Sequence, residues 1–180
     1  MALQTLTSTI HAQPSFPVSV QAPSSSRTST YMYVLGGNTT ASEVLGQFYK
    51  LDLAVPWKIA TPVWIRLADG PKQFLFPSTW SKDGKTLATF HVAGGVLSYL
   101  YSATTNTWIQ SQLKVPHAEL QGVGAVTDPN TGLAYLAAGY MAARDTMDVY
   151  NFGADSMSSR ALPPTLFQAR SWERVVQETE

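Results

Sequence analysis

The strongest constraint in this sequence is a tyrosine that returns, in a short β-rich stretch, at nearly even spacing. Phe48-Tyr49-Lys50-Leu51-Asp52-Leu53, Tyr99-Leu100-Tyr101-Ser102 and Asp148-Val149-Tyr150-Asn151-Phe152 place Tyr49, Tyr101 and Tyr150 in one column. Seven residues after Tyr101 stands Trp108, and seven after Tyr150 stands Met157. After Tyr49 the matching tryptophan is Trp64, delayed so that residues 54–62, with Trp57, read as an insertion. A proline column follows, with Pro71, Pro116 and Pro163 at intervals of 45 and 47 residues, where one unit hands over to the next. A unit of that length cannot bury its apolar face alone, so it must stack on its neighbours, and the chain reads as a repeat architecture.

Each unit carries the signals of a small antiparallel sheet. Thr86-Leu87-Ala88-Thr89-Phe90-His91-Val92 and Leu133-Ala134-Tyr135-Leu136-Ala137-Ala138 are short, β-compatible runs. Each follows a tight-turn sequence, Lys82-Asp83-Gly84-Lys85 or Asp128-Pro129-Asn130-Thr131-Gly132, whose Asp, Asn and Gly suit preset or positive φ. The stretches 76–81 and 121–127 before these turns complete hairpins, and Gly122, Gly124 and Ala125 are small enough for innermost strands crowding round an axis. Four strands per unit follow: an inner strand, a glycine-ended strand, a tyrosine strand and a tryptophan strand.

A repeat of this length with a Gly-Gly pair, a Tyr and a Trp in that order resembles the kelch motif of the galactose oxidase and kelch β-propeller superfamily. The match runs over about residues 31–170. In the first unit Tyr31-Met32-Tyr33-Val34-Leu35-Gly36-Gly37 carries the strand and paired glycines, with Tyr49 and Trp64 behind it. The second keeps Tyr101 and Trp108, and the third keeps Gly139 and Tyr150 but has Ala138 for the first glycine and Met157 for the tryptophan. The stretches 120–132 and 147–152 further resemble kelch-propeller proteins of filamentous fungi, a resemblance that implies an extracellular or cell-surface location.

The expected fold is therefore all-β: an incomplete propeller of about three four-stranded blades with the stub of a fourth. The divisions are a leader over 1–26, either disordered or the remnant of a signal peptide, then blades over 27–70, 71–115 and 116–162, the start of another at 163–172, and a tail at 173–180. Propellers close with four to eight blades, so three leave two blade faces open, which implies a fragment of a longer protein, closure by self-association or with other chains, or cover of those faces by the leader and tail, the fragment being favoured. Gly36, Gly37, Tyr49, Trp64, Tyr101, Trp108, Gly139 and Tyr150 are read as structural, since repeated residues serve turns and packing between blades.

Composition removes several functions. Twelve basic and twelve acidic residues, with no cluster of Lys and Arg, leave no electrostatic footprint for nucleic acid. The absence of cysteine excludes disulfides, thiolate metal sites and a cysteine nucleophile within these residues. No apolar run reaches the length of a membrane-spanning helix. His11, His91 and His117 stand singly, without ligand spacing, and Arg144, Asp145 and Asp148 lie as solvated or turn residues lie, so no cofactor or metal is implied. Asn38-Thr39-Thr40 is a glycosylation acceptor sequence. What remains is a non-enzymatic binding module for another protein, with Asn38, Glu43, His117, Arg144 and Asp145 on the rim loops. The alternative is part of a secreted galactose oxidase-like or other carbohydrate-active propeller enzyme with its catalytic residues elsewhere.

Overall fold

The structure, a computed structural model, describes residues 20–58, 62–92, 96–111, 113, 122, 124–137 and 146–161. They form three separate four-stranded antiparallel meanders. Blade 1 comprises β1 (Ser24–Arg27), β2 (Tyr31–Leu35), β3 (Phe48–Asp52) and β4 (Trp64–Arg66). Blade 2 comprises β5 (Ser78–Trp80), β6 (Thr86–Val92), β7 (Val96–Ser102) and β8 (Thr107–Gln110). Blade 3 comprises β9 (Gly124–Thr127), β10 (Leu133–Ala137), β11 (Thr146–Asn151) and β12 (Ser156–Ala161). None closes into a barrel. The inner strands β1, β5 and β9 lie against one another, so the sheets fan out from a shared axis as an open, incomplete propeller.

Turn chemistry fixes the first hairpin of blades 2 and 3. Asp83 accepts the Ser81 hydroxyl at 2.6 Å and the Lys85 N–H at 3.1 Å, and Gly84 takes a φ of 68°. In blade 3 Asp128 accepts the Asn130 N–H at 2.8 Å and the Thr131 hydroxyl at 2.7 Å, with Gly132 at φ 75°. These bonds lower the pKa of both carboxyls, the Ser81 hydroxyl acting most strongly on Asp83 and the Asn130 N–H on Asp128.

The registers define corresponding positions. Arg27 faces Met32, Met32 faces Leu51 and Leu51 faces Trp64; the same row reads Trp80, Leu87, Tyr101, Trp108 in blade 2 and Thr127, Ala134, Tyr150, Met157 in blade 3. Tyr101 and Tyr150 therefore share one position, whereas Tyr49 stands one pleat away, opposite Arg66, and the residue matching Tyr101 is Leu51. The column alignment of Tyr49 is corrected by two residues. A strand keeps its face when its register shifts by two, so periodicity along the sequence could not separate these alternatives.

Two cores alternate with the sheets. Tyr33, Leu35 and Phe48 of blade 1 pack on Trp80, Leu87 and Tyr101 of blade 2, while Ala88 and Phe90 on the other face of blade 2 pack on Ala134, Leu136 and Tyr150 of blade 3. Ser24, Ser25 and Ser26, expected in the leader, belong instead to the inner strand of blade 1, Ser24–Arg27. Four polar residues give no apolar alternation to read. They are held in place by pairing with β2, and the buried Ser24 hydroxyl donates to that of Ser78 at 2.7 Å. Trp172 and the expected stub of a fourth blade lie outside the described residues, as does the tail.

Candidate functional site

The fan has two ends. At one lie the hairpin tips between the first and second strands of each blade. At the other lie the β2–β3 loop and the connector from blade 1 to blade 2. Of the expected rim residues the structure describes Asn38 and Glu43; His117, Arg144 and Asp145, together with Gly139, lie outside the described residues.

The β2–β3 loop is held by backbone bonds on both sides. Gly36 donates to the Gln47 carbonyl at 2.9 Å and Gly37 to that of Gln73 at 2.8 Å, so the loop is tied at once to its own blade and to the connector leading to blade 2. The Leu45 N–H donates to Gly37, Gln73 returns a bond to Leu45, and Gly70 donates to Gly46 at 2.7 Å. A Cβ at Gly36 would sit 2.2 Å from the Gln73 oxygen, so this close approach admits no side chain. Asn38 bridges Gln21 on one side and Val44 on the other. Beyond it the loop turns tightly: Thr39 donates its N–H to the Glu43 carbonyl, its hydroxyl accepts the Glu43 N–H at 3.1 Å, and Ser42 adopts a φ of 62°. Thr40, Ala41, Ser42 and Glu43 are exposed at the tip. A non-glycine residue at positive φ costs about 1–2 kcal/mol, so this tip keeps a strained shape because its surroundings fix it.

At the same end the inner strands share a device that the sequence reading missed. Ala22, Leu75 and Gly122 occupy corresponding positions, each five residues before the row of Arg27, Trp80 and Thr127, and each has positive φ, at 49°, 62° and 68°. The Leu75 N–H donates to the Ala22 carbonyl at 2.9 Å, and the Gly122 N–H to that of Leu75 at 2.7 Å. A chain of backbone hydrogen bonds thus runs from blade to blade around the axis. Only Gly122 announces such a conformation by residue type.

A second staple joins the outer halves. Tyr101 donates to Asn106 Oδ1 at 2.9 Å, and the same oxygen accepts the Ala68 N–H of blade 1's exit at 2.9 Å; Trp108 Nε1 donates to the Ala68 carbonyl at 2.9 Å. In blade 3 Tyr150 donates to Asp155 Oδ1 at 2.8 Å, and Ser111 donates to Oδ2 at 2.6 Å. Asn106 and Asp155 both stand five residues after their tyrosine, at φ 54° and 44°. Burial raises the pKa of Tyr101, and of Tyr150 with Asp155 adding to the effect, so both stay neutral donors. Tyr101, Trp108 and Tyr150 are thereby assigned to joining blades.

At the hairpin end a cleft of about 860 Å³ opens along the axis, lined by all three inner strands. Its walls carry the hydroxyls of Ser25, Ser78 and Thr127, the charges of Arg27, Lys82 and Asp83, and the apolar Met32, Leu53 and Val126. Among the described residues no group of His, Asp or Glu is placed to hold a metal ion, and no helix is long and apolar enough to cross a membrane.

No family model and no curated protein matches the chain. Among solved structures the fold matches the "Structure of YjhT" with a TM-score of 0.63 at 14% sequence identity, over 84% of this chain and 53% of that one. The chain thus spans about half the length of the structure it matches. These comparisons correct the family resemblance: the likeness they carry is to YjhT and is one of fold. The assignment to kelch and galactose oxidase proteins does not stand, and the glycine, tyrosine and tryptophan spacing that suggested it reflects the needs of packed four-stranded sheets.

Proposed function

We propose that this chain is a non-enzymatic interaction module that binds a partner protein at the connector end, through the tip of the β2–β3 loop. The observation that carries this reading is the loop's construction. Thr40 to Glu43 are exposed, yet the turn beneath them is fixed by bonds within the loop and by the tie of Gly37 to Gln73. A preorganised exposed loop on a rigid scaffold loses little conformational entropy on binding and suits recognition. Asn38 sets the loop's base and Glu43 supplies its charge, and on the same reading His117, Arg144 and Asp145 belong to the equivalent rim of the following blades.

A photoreactive residue placed at Thr40 should cross-link a partner protein that the same residue at Lys85, on the hairpin end, does not reach, and Glu43→Arg should abolish the capture. Equal capture from both ends, or capture indifferent to Glu43→Arg, would overturn the assignment.

A further inference from the structure

The third and fourth strands of a blade need only a short turn between them, and blades 2 and 3 use one. Six residues separate the paired Tyr101 and Trp108, and six separate Tyr150 and Met157, whereas twelve separate Leu51 and Trp64 at the same row of blade 1. The β3–β4 loop is therefore six residues longer than the turn requires. It is also apolar and outward. Leu53 is 39%, Val55 57%, Trp57 43% and Val63 66% exposed, where the matching turns carry Thr104 and Thr105 in blade 2 and Gly153 and Ala154 in blade 3. Seams between blades do not account for this length. In blades 2 and 3 the residue that reaches the preceding blade or its exit stands two places before the row, at Asn106 and Asp155. The corresponding residue of blade 1 is Pro62, so Val55 and Trp57 lie in the part of the loop that such a seam leaves over.

The charges around the loop are of one sign. Between Asp52 and Asp69 there is no acidic residue, and the two charged side chains are Lys58 and Arg66. Arg66 is turned onto Asp69 at 2.9 Å, and Lys58 is exposed. The loop leaves from the hairpin end of the fan, because the Leu53 N–H donates to the Thr30 carbonyl of the first hairpin at 2.8 Å. Arg27, Lys82 and Lys85 are exposed at that end. Its carboxylates are folded back: Asp52 accepts the Ala54 N–H at 2.8 Å, and Asp83 and Asp128 are bonded into their turns.

We propose that the β3–β4 loop attaches this protein to a lipid surface, with Leu53, Val55, Trp57 and Val63 entering the interfacial layer of a bilayer whose anionic headgroups meet Lys58. Tryptophan settles at headgroup level through its amphipathic ring, and lysine reaches the phosphates while its stem stays among apolar groups. Anionic headgroups attract the exposed basic side chains of the hairpin end as well. Four apolar side chains on one loop give reversible attachment to the surface, not a span. The inference does not depend on the β2–β3 loop, which lies at the opposite end of the fan and stays free for a partner while the hairpin end faces the lipid.

Vesicles of phosphatidylcholine and phosphatidylserine in equal parts should sediment the full 180-residue chain, and vesicles of phosphatidylcholine alone should bind it more weakly. Trp57→Ser should lower the partition coefficient by about tenfold or more on the mixed vesicles. Lys58→Glu should lower it by about tenfold on the mixed vesicles and leave binding to phosphatidylcholine unchanged. Ile109→Ser, at an apolar position of β8 that is 62% exposed, should bind as the parent does. All three sites are exposed, so the fold tolerates the changes, which circular dichroism verifies. Failure of the parent to bind either vesicle, or binding that Trp57→Ser retains, would overturn the proposal. A solution mass that falls on Trp57→Ser, in a parent that ignores vesicles, would assign the loop to a contact between copies and overturn it equally. Each of these outcomes leaves the connector-end assignment standing.

Discussion

Phe48 is the side chain whose removal should report most directly on how the blades are held together. It is fully buried between blades 1 and 2, and its ring lies 4.9 Å from Tyr101, 5.3 Å from Trp108 and 5.8 Å from Tyr33. Truncating a buried phenylalanine to alanine costs about 3–5 kcal/mol. Two partners belong to the neighbouring sheet and are anchored by the Asn106 and Ala68 bonds, so the site cannot collapse freely and the upper part of that range is expected. Domains of this size are stable by roughly 0.05–0.15 kcal/mol per residue, so the loss is a large fraction of the total. In urea, with a slope of about 2 kcal/mol per molar, Phe48→Ala should lower the midpoint by roughly 2 M. Tryptophan emission is a suitable probe because Trp80 and Trp108 line the same cluster. Ile109→Ala, at an exposed site on blade 2, should shift stability by no more than about 0.5 kcal/mol. Protein concentration is held constant, since association changes apparent stability. A Phe48→Ala midpoint within about 0.5 M of the parent would refute the view that this seam carries the blade-to-blade stability.

Two further outcomes follow from the same geometry. Gly36→Ala forces a Cβ to 2.2 Å from the Gln73 oxygen at φ 69°, whereas Gly84→Ala at φ 68° meets only Thr28 Cγ2 at 3.7 Å; thermal melting should therefore show a clearly larger loss for Gly36→Ala, and equal losses would mean that the loop and connector are not in contact. Burial, with Tyr101 and Tyr31 nearby, pushes the Tyr33 pKa from 10.0 up to about 12. The folded value lies above the unfolded one, so the stabilisation is intact below pH 10 and is lost as pH rises towards 12; denaturant midpoints across that window should fall less in Tyr33→Phe, and parallel declines would count against this origin.

Much of this fold was legible in the sequence, for identifiable reasons. Asp83-Gly84 and Asp128 to Gly132 carry turn geometry in their own side chains, and Tyr101 and Tyr150 share a strand position because each must reach a turn five residues on. Elsewhere the deciding forces were not local. The inner strand Ser24–Arg27 has no apolar period and is ordered by its neighbours. Tyr49 and Leu51 lie on the same side of β3, so only pairing with Trp64 shows which of them matches Tyr101. At the connector end, Gly36 and Gly37 could be read as a turn, but their tie to Gln73 depends on a segment more than thirty residues away. The Asn106 and Asp155 staples show in the sequence only as a five-residue spacing from tyrosine, two residues before Trp108 and Met157.

The low charge of the chain has a physical role in this arrangement. Only 13% of its residues are charged, and much of its polarity lies in hydroxyls and amides placed at the seams. Ser24 meets Ser78, Thr79 meets Thr127, and the Thr127 hydroxyl donates to the Trp80 carbonyl at 2.6 Å. Short neutral groups let inner strands approach closely while satisfying buried polar atoms, which solvated lysines and glutamates would prevent. The stability of such an array is a sum of sheet and seam contributions, so every seam left unformed is a full increment withheld. The same reasoning sets the order of failure on unfolding: among the described residues blades 1 and 3 each share one seam and blade 2 shares two, so blades 1 and 3 should open before blade 2.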